Sequence, residues 1–149
     1  MRIAAACLTA LFCCAALPSQ AASPVESGAF LAKAEKEVDT IKLSSGVLVQ
    51  TIKKGEGATP TAGSSVSVNY RGTTISGIEF DSSYNRGRPS NFSLSGVIPC
   101  WTQGIQKMQV GGKAKLTCPA DTAYGESSPT PLIPPGSVLV FEVELLGVE

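Results

Sequence analysis

The last regular stretch of the chain, SVLVFEVELL, constrains the fold more than any other. Leu139, Phe141, Val143 and Leu145 alternate with Val138, Val140, Glu142 and Glu144, and side chains on a strand point to opposite faces with a period of two. One face is wholly apolar; the other turns polar toward the C-terminal half. This pattern predicts a half-buried antiparallel strand. Pro134 and Pro135 stand just before it. Proline has no N–H to give to a ladder, so the pair holds PTPLIPPG outside the sheet. That segment reads as a stiff loop presenting two apolar residues, Leu132 and Ile133, to a site.

The opening residues, MRIAAACLTALFCCAALPSQAAS, read as a leader. Arg2 gives a positive start, Ile3 to Leu17 is an uncharged apolar run, Pro18 breaks it, and Ser19-Gln20-Ala21 offers small residues for cleavage. Residues 1–21 are therefore expected to be a secretory signal peptide. A membrane anchor fits less well, because the run is shorter than the roughly 20 residues a spanning helix needs. The cysteine-tethered alternative at Cys13 or Cys14 lacks the small residues such a signal places before its cysteine. The expected location is outside the cytoplasm, in a bacterial periplasm, with secretion or membrane tethering as the other outcomes. A mature chain of roughly 128 residues is enough for one domain with its own core.

The whole chain carries 12 basic and 12 acidic residues and no histidine. With Arg2 removed the balance is 11 against 12, and no basic stripe stands out, so nucleic acid is not an expected partner. Lack of histidine removes the commonest general base and metal ligand. No metal and no cofactor is expected. Cys100 and Cys118 are the cysteines left after the leader. In an exported protein they read either as a disulfide or as two buried apolar thiols, and the sequence leaves the choice open. No C-x-x-C spacing suggests a redox pair.

Residues 25–43 predict a helix, with Phe30, Leu31, Ala34, Val38 and Ile41 at three- and four-residue spacing and Ser27 as a cap. Residues 22–43 thus form an N-terminal arm, which packs on its own domain or contacts a second copy. Strand signals follow: VLVQTIKKG, SSVSVNYRG, a hairpin through TTISGIEFDSS, and a short strand around Phe92 and Leu94. Trp101, Ile105 and Met108 fall at i, i+4 and i+7 after Pro99, so one short helix is expected there, closed by Gly111-Gly112. GKAKLTC and the final strand complete an antiparallel sheet. The fold class is α+β, a single sheet with one short helix across it, preceded by the arm.

Five segments, VNYRG, EFDSS, VIPCWTQGIQKMQVGGKAKL, PADTAYG and LIPPGSVLVFEVELL, occur in this order. Together they resemble the FK506-binding-protein (FKBP) type of peptidyl-prolyl cis–trans isomerase over residues 44–149. GAFLAKAEKEV followed by SSGVLVQTI is similar to the arm of exported bacterial members related to macrophage infectivity potentiators. The resemblance implies a twisted sheet of five to six strands wrapped over one helix, with a pocket between them. It implies catalytic roles for Tyr70, Phe80, Asp81, Tyr124 and Phe141, and ligand-binding roles for Phe92, Val97, Ile98, Leu132 and Ile133, with Trp101 as the floor. The Ile98 N–H and the Tyr124 hydroxyl would donate to substrate carbonyls, and Asp81 would orient the wall through Tyr70. Ser90 stands where some relatives carry an aromatic residue, which predicts a more open rim. Expected partners are proline-containing polypeptides, with FK506- and rapamycin-type macrolides as inhibitors. The arm is short for the family's dimerisation region, so a monomer is expected.

The chemistry is consistent with this residue set. Rotation about an X–Pro bond breaks no bond and needs no nucleophile, metal or histidine, only a place where the twisted amide is favoured. The competing function is a module that holds proline-containing segments as a chaperone or adaptor with little turnover. A hydrolase or redox enzyme does not fit a chain without histidine or C-x-x-C.

Overall fold

The computed structural model describes residues 22–149. The expected signal peptide, residues 1–21, lies outside the described residues. The first element, α1 (Pro24–Ala34), starts where local chemistry supplies donors and acceptors. The Glu26 N–H donates to the Ser23 hydroxyl at 3.2 Å, and the Ser23 N–H donates to the Glu26 carboxylate at 2.7 Å. With Pro24 in the first turn this is a complete capping box, so Ser23 and not Ser27 is the cap.

The helix ends well short of residue 43. Asp39 takes a left-handed backbone at φ 57°, and Thr40–Lys42 form β1, paired antiparallel with Leu48–Gln50 of β2 (Leu48–Lys53). Val38 and Ile41, expected on a helical apolar stripe, are 79% and 49% exposed. Pairing with the open edge of β2 satisfies backbone groups that a longer helix would leave bare, and this tertiary gain outweighs the local periodicity. Among the described residues no helix is long and apolar enough to cross a membrane.

The remaining elements are β3 (Ser65–Thr74), β4 (Glu79–Ser82), β5 (Ser90–Ser93), α2 (Pro99–Ile105), β6 (Lys113–Cys118) and β7 (Leu139–Val148). They form one antiparallel sheet of seven strands in the order β1-β2-β6-β7-β3-β4, with β5 also on β3. The five to six strands expected become seven because β1 joins one edge and two short strands share the far side of β3. At the centre β3 and β7 run side by side from Val66↔Val148 to Thr74↔Leu139. As the alternation of β7 predicts, Leu139, Phe141, Val143 and Leu145 are buried and Glu142 is exposed.

Helix α2 lies across the inner face of the sheet. Trp101 and Ile105 are buried against it, and Met108 follows in the turn after the helix. The close approach depends on Gly104, where a Cβ would stand 2.9 Å from a methyl carbon of Leu116. Cys100 and Cys118 are joined by a disulfide, with Cα atoms 5.7 Å apart and both residues fully buried. It ties the first turn of α2 to the end of β6, two segments 18 residues apart. Closing a loop of that size restricts the unfolded chain by about 3 kcal/mol. Replacing both cysteines by alanine is therefore expected to lower unfolding stability by about that amount. Urea denaturation of the two forms checks this; equal midpoints at equal slope would contradict it.

Candidate functional site

The site is built around Trp101. Tyr70, Phe92 and Phe141 meet its indole edge-on, with ring centroids 5.0, 5.3 and 5.4 Å away and planes within a few degrees of perpendicular. The indole thus forms a floor with three rings standing round it, a favourable arrangement for ring quadrupoles. Phe80 packs edge-on against Phe141 at 5.5 Å. The cavity they enclose is about 320 Å³ and is lined by Tyr70, Phe80, Asp81, Phe92, Gly96, Val97, Ile98, Trp101, Tyr124 and Phe141.

Alternation along a strand would send Phe80 and Asp81 to opposite faces. The pairing of β3 with β4 slips between Gly72↔Asp81 and Thr73↔Glu79, so a bulge falls at Phe80 and both residues reach the cavity. Gly72 makes room for them. A Cβ there would lie 2.6 Å from the tip of Phe80 and 2.9 Å from Phe141.

Val97 and Ile98 come from the segment that enters α2. Ile98 is extended at the helix N-terminus (φ −57°, ψ 147°), and its carbonyl accepts from Trp101 N–H. Tyr124 follows the short turn Ala120–Thr122 and stands at the rim, 37% exposed. Partial burial and the charge of Asp81 push its hydroxyl above the ordinary tyrosine range.

One polar network supports the wall. The Tyr70 hydroxyl donates to Asp81 Oδ2 at 2.5 Å. Arg86 donates to Asp81 Oδ1 at 2.7 Å, to the Tyr70 oxygen at 2.8 Å and to Ser90 Oγ at 3.0 Å. The Ser82 N–H donates to Asp81 Oδ1 at 2.9 Å. Burial pushes the Asp81 carboxyl up, but the hydrogen bonds from Tyr70 and Arg86, with the guanidinium charge, outweigh it and hold Asp81 below the usual carboxylate range. Burial, reinforced by the bond to Asp81, raises the Tyr70 hydroxyl above its ordinary value. Asp81 is thus a saturated, ionised acceptor and Tyr70 a neutral donor.

The structure brings together Tyr70, Phe80, Asp81, Phe92, Val97, Ile98, Trp101, Tyr124 and Phe141. It does not bring Leu132 and Ile133 to the cavity. Ile133 is 2% exposed in the core, and Leu132 is 45% exposed over a neighbouring groove with Ile75, Ile78 and Pro134. The reason is local: the Ser128 hydroxyl donates to the Ile133 carbonyl at 2.7 Å, and Ile133 N–H turns back to Thr130 at 3.1 Å. The loop folds onto the body and does not roof the cavity. Sequence reading missed Arg86, Gly96 and Gly72. For Arg86 the only signal was its position five residues after Asp81 in a turn-forming run closed by Gly87.

An apolar aromatic cavity edged by a few donors, on one helix laid across an antiparallel sheet, defines a pocket suited to a compact apolar group. The sequence profile described as FKBP-type peptidyl-prolyl cis-trans isomerase matches residues 56–146. The FKBP-type peptidyl-prolyl cis-trans isomerase FkpA of Escherichia coli K12 is 48% identical over 117 residues, which are 78% of this chain and 43% of that protein. FK506-binding protein 1 of Dictyostelium discoideum is 47% identical over 103 residues, 68% of this chain and 96% of that one. The crystal structure of FkpA from Escherichia coli superposes with a TM-score of 0.79 at 45% identity, covering 84% of this chain and 58% of that one. The chain belongs to the FKBP-type peptidyl-prolyl cis–trans isomerase family. It spans less than half the length of the E. coli relative.

The electrostatics of Asp81 give a stability prediction. Its folded pKa lies below its unfolded value of about 3.9. The resulting stabilisation is present above that value and is lost as pH falls through the folded pKa. Wild type is expected to be more stable than Asp81→Asn at pH 7, with the gap closing below about pH 4. Denaturant midpoints at the two pH values check this; a gap that stays constant would contradict it.

Proposed function

We propose that this chain accelerates cis–trans isomerisation of X–Pro bonds in exported polypeptides, and that the cavity over Trp101 is where it does so. The observation that carries the reading is the cavity itself: five aromatic rings, Val97 and Ile98 around a floor of indole, in a chain of this family. The uncatalysed rotation crosses a barrier of about 18–20 kcal/mol because amide resonance is lost midway. The planar amide is more dipolar than the twisted one, so water stabilises the ground state more than the transition state. Placing the prolyl ring and its amide against Trp101, Phe80 and Phe141 withdraws that water and lowers the barrier.

The Ile98 N–H and the Tyr124 hydroxyl are the donors assigned to the carbonyls on either side of the rotating bond. Phe92 and Val97 close the remaining wall. Asp81 is a positioning residue: with Arg86 it fixes the Tyr70 ring and hydroxyl and takes no proton during the rotation. FK506- and rapamycin-type macrolides are expected to occupy the same cavity.

Export is supported by the signal-like composition of residues 1–21, and a disulfide between Cys100 and Cys118 fits an oxidising compartment. Residues 22–43 are assigned to an arm, whose β1 adds to the edge of the sheet, and residues 44–149 to the isomerase domain, with the protein acting as a monomer.

The test is catalysis of prolyl isomerisation in a tetrapeptide by the chain from Ala22 onward, with and without FK506. Acceleration abolished by FK506 is expected. Phe80→Ala is expected to lower kcat/KM roughly tenfold or more, the loss of at least about 1.4 kcal/mol of transition-state contact. FK506 binding without acceleration would replace this reading by that of a holding module; neither binding nor acceleration would overturn both.

A further inference from the structure

The aromatic cavity does not end at Tyr70 and Phe92. These two rings, packed edge-on at 5.7 Å, also form one side of a second, shallow depression lined by Arg86, Arg88, Pro89, Ser90 and Asn91. The two depressions share Tyr70 and Phe92 as a common wall, so the shelf directly adjoins the cavity.

The charges on the shelf do not cancel. Arg86 is committed, with one nitrogen on Asp81 and another on Tyr70 and Ser90. Glu79, the next carboxylate along β4, is held by Arg71 at 2.5 Å and Asn85 at 2.6 Å. Arg88 is exposed, and among the described residues no carboxylate pairs with it. No carboxylate lines the shelf. Counting the Arg86–Asp81 pair as neutral leaves one unbalanced positive charge beside the cavity.

The backbone on either side of this charge is constrained. Gly87 takes the left-handed conformation at φ 68°, closing the turn Tyr84–Arg86. Pro89 fixes its own φ and pushes the residue before it, Arg88, toward an extended backbone. β5 then pairs with β3 from Ser90↔Val68 onward. Ser90 is small and its hydroxyl accepts from Arg86, and the Arg88 side chain is exposed to solvent.

We infer that Arg88 is a specificity-determining residue that favours substrates carrying an acidic side chain beside the X–Pro pair. The inference rests on the isomerase reading of the cavity and adds the substrate class. A single exposed charge pair is worth about a two- to fivefold preference, and added salt weakens it.

The experiment uses the chain from Ala22 onward and peptides with a constant Ala-Pro pair and Glu, Ala or Lys placed in turn at each flanking position. For every enzyme variant the Ala peptide is the internal reference, and the readout is the Glu-to-Lys ratio of kcat/KM. At one flanking position the wild type is expected to favour Glu over Lys by about two- to fivefold at low ionic strength. The ratio is expected to fall toward one in high salt and in Arg88→Ala, to persist in Arg88→Lys and to invert in Arg88→Glu. A ratio of one at every position, or a Glu preference unchanged in Arg88→Ala, overturns the inference while turnover of the Ala peptide leaves the isomerase reading standing. If no peptide is accelerated, the isomerase reading fails by itself. Fluorescence anisotropy of the same labelled peptides then decides the role of Arg88 by the same ratio, taken in Kd.

Discussion

The structure depends on the pairing of β3 with β7, and within it on the register that sets Gly72 opposite Phe141. β7 meets a strand some seventy residues earlier, and the only glycine of β3 falls beside the only ring on β7. Phe80 fills the space that a Cβ on Gly72 would occupy. One residue out of register would turn the whole apolar set of β7 to solvent and leave the cavity without its Phe141 wall. The disulfide acts on the helix that carries the cavity floor. It anchors the first turn of α2 to β6, and so places Trp101 beneath the rings that the β3–β7 pair supplies.

Around this apolar centre the polar groups are fixed rather than reactive. Asp81 accepts from Tyr70, Arg86 and the Ser82 backbone, which leaves its carboxylate no reason to take up a proton near neutrality. Tyr70 is shifted the other way and stays neutral over the same range. A reaction that rotates a bond needs such a site: rigid walls, little water and donors that hold the flanking peptide. Arg88 lies outside the cavity, on the adjoining depression, where the proposed selection by charge would act.

Much of this was legible in the chain. Alternation gave the β7 face correctly because that strand is central and half-buried, the setting in which a period of two is enforced. The helix carrying Trp101 and Ile105 was legible for the corresponding reason, with a proline at its start, although it ends at Ile105 and leaves Met108 in the segment that follows. What failed were readings that needed long-range information. The spacing of Phe30, Leu31, Ala34, Val38 and Ile41 continues past residue 34, but the open edge of β2 takes Thr40–Lys42 as a strand. The stiffness of PTPLIPPG says nothing about its direction, and its hydrogen bonds turn Ile133 into the core. Phe80 and Asp81 share a cavity only through a bulge that no local pattern announces. Arg86 reaches Asp81 only because the chain reverses at Tyr84–Arg86.

In the proposed reaction the site lowers the barrier by excluding water from a rotating amide and moves no proton in doing so. The most direct measurement is the solvent deuterium isotope effect on kcat/KM for a tetrapeptide substrate. If Asp81, Tyr70 and Tyr124 act only by position, hydrogen bonding and shape, the ratio of rates in H₂O and D₂O should be about 1. A ratio of about 2 or more would place a proton transfer in the transition state, and the account of a cavity that works by desolvation and fixed dipoles would be wrong.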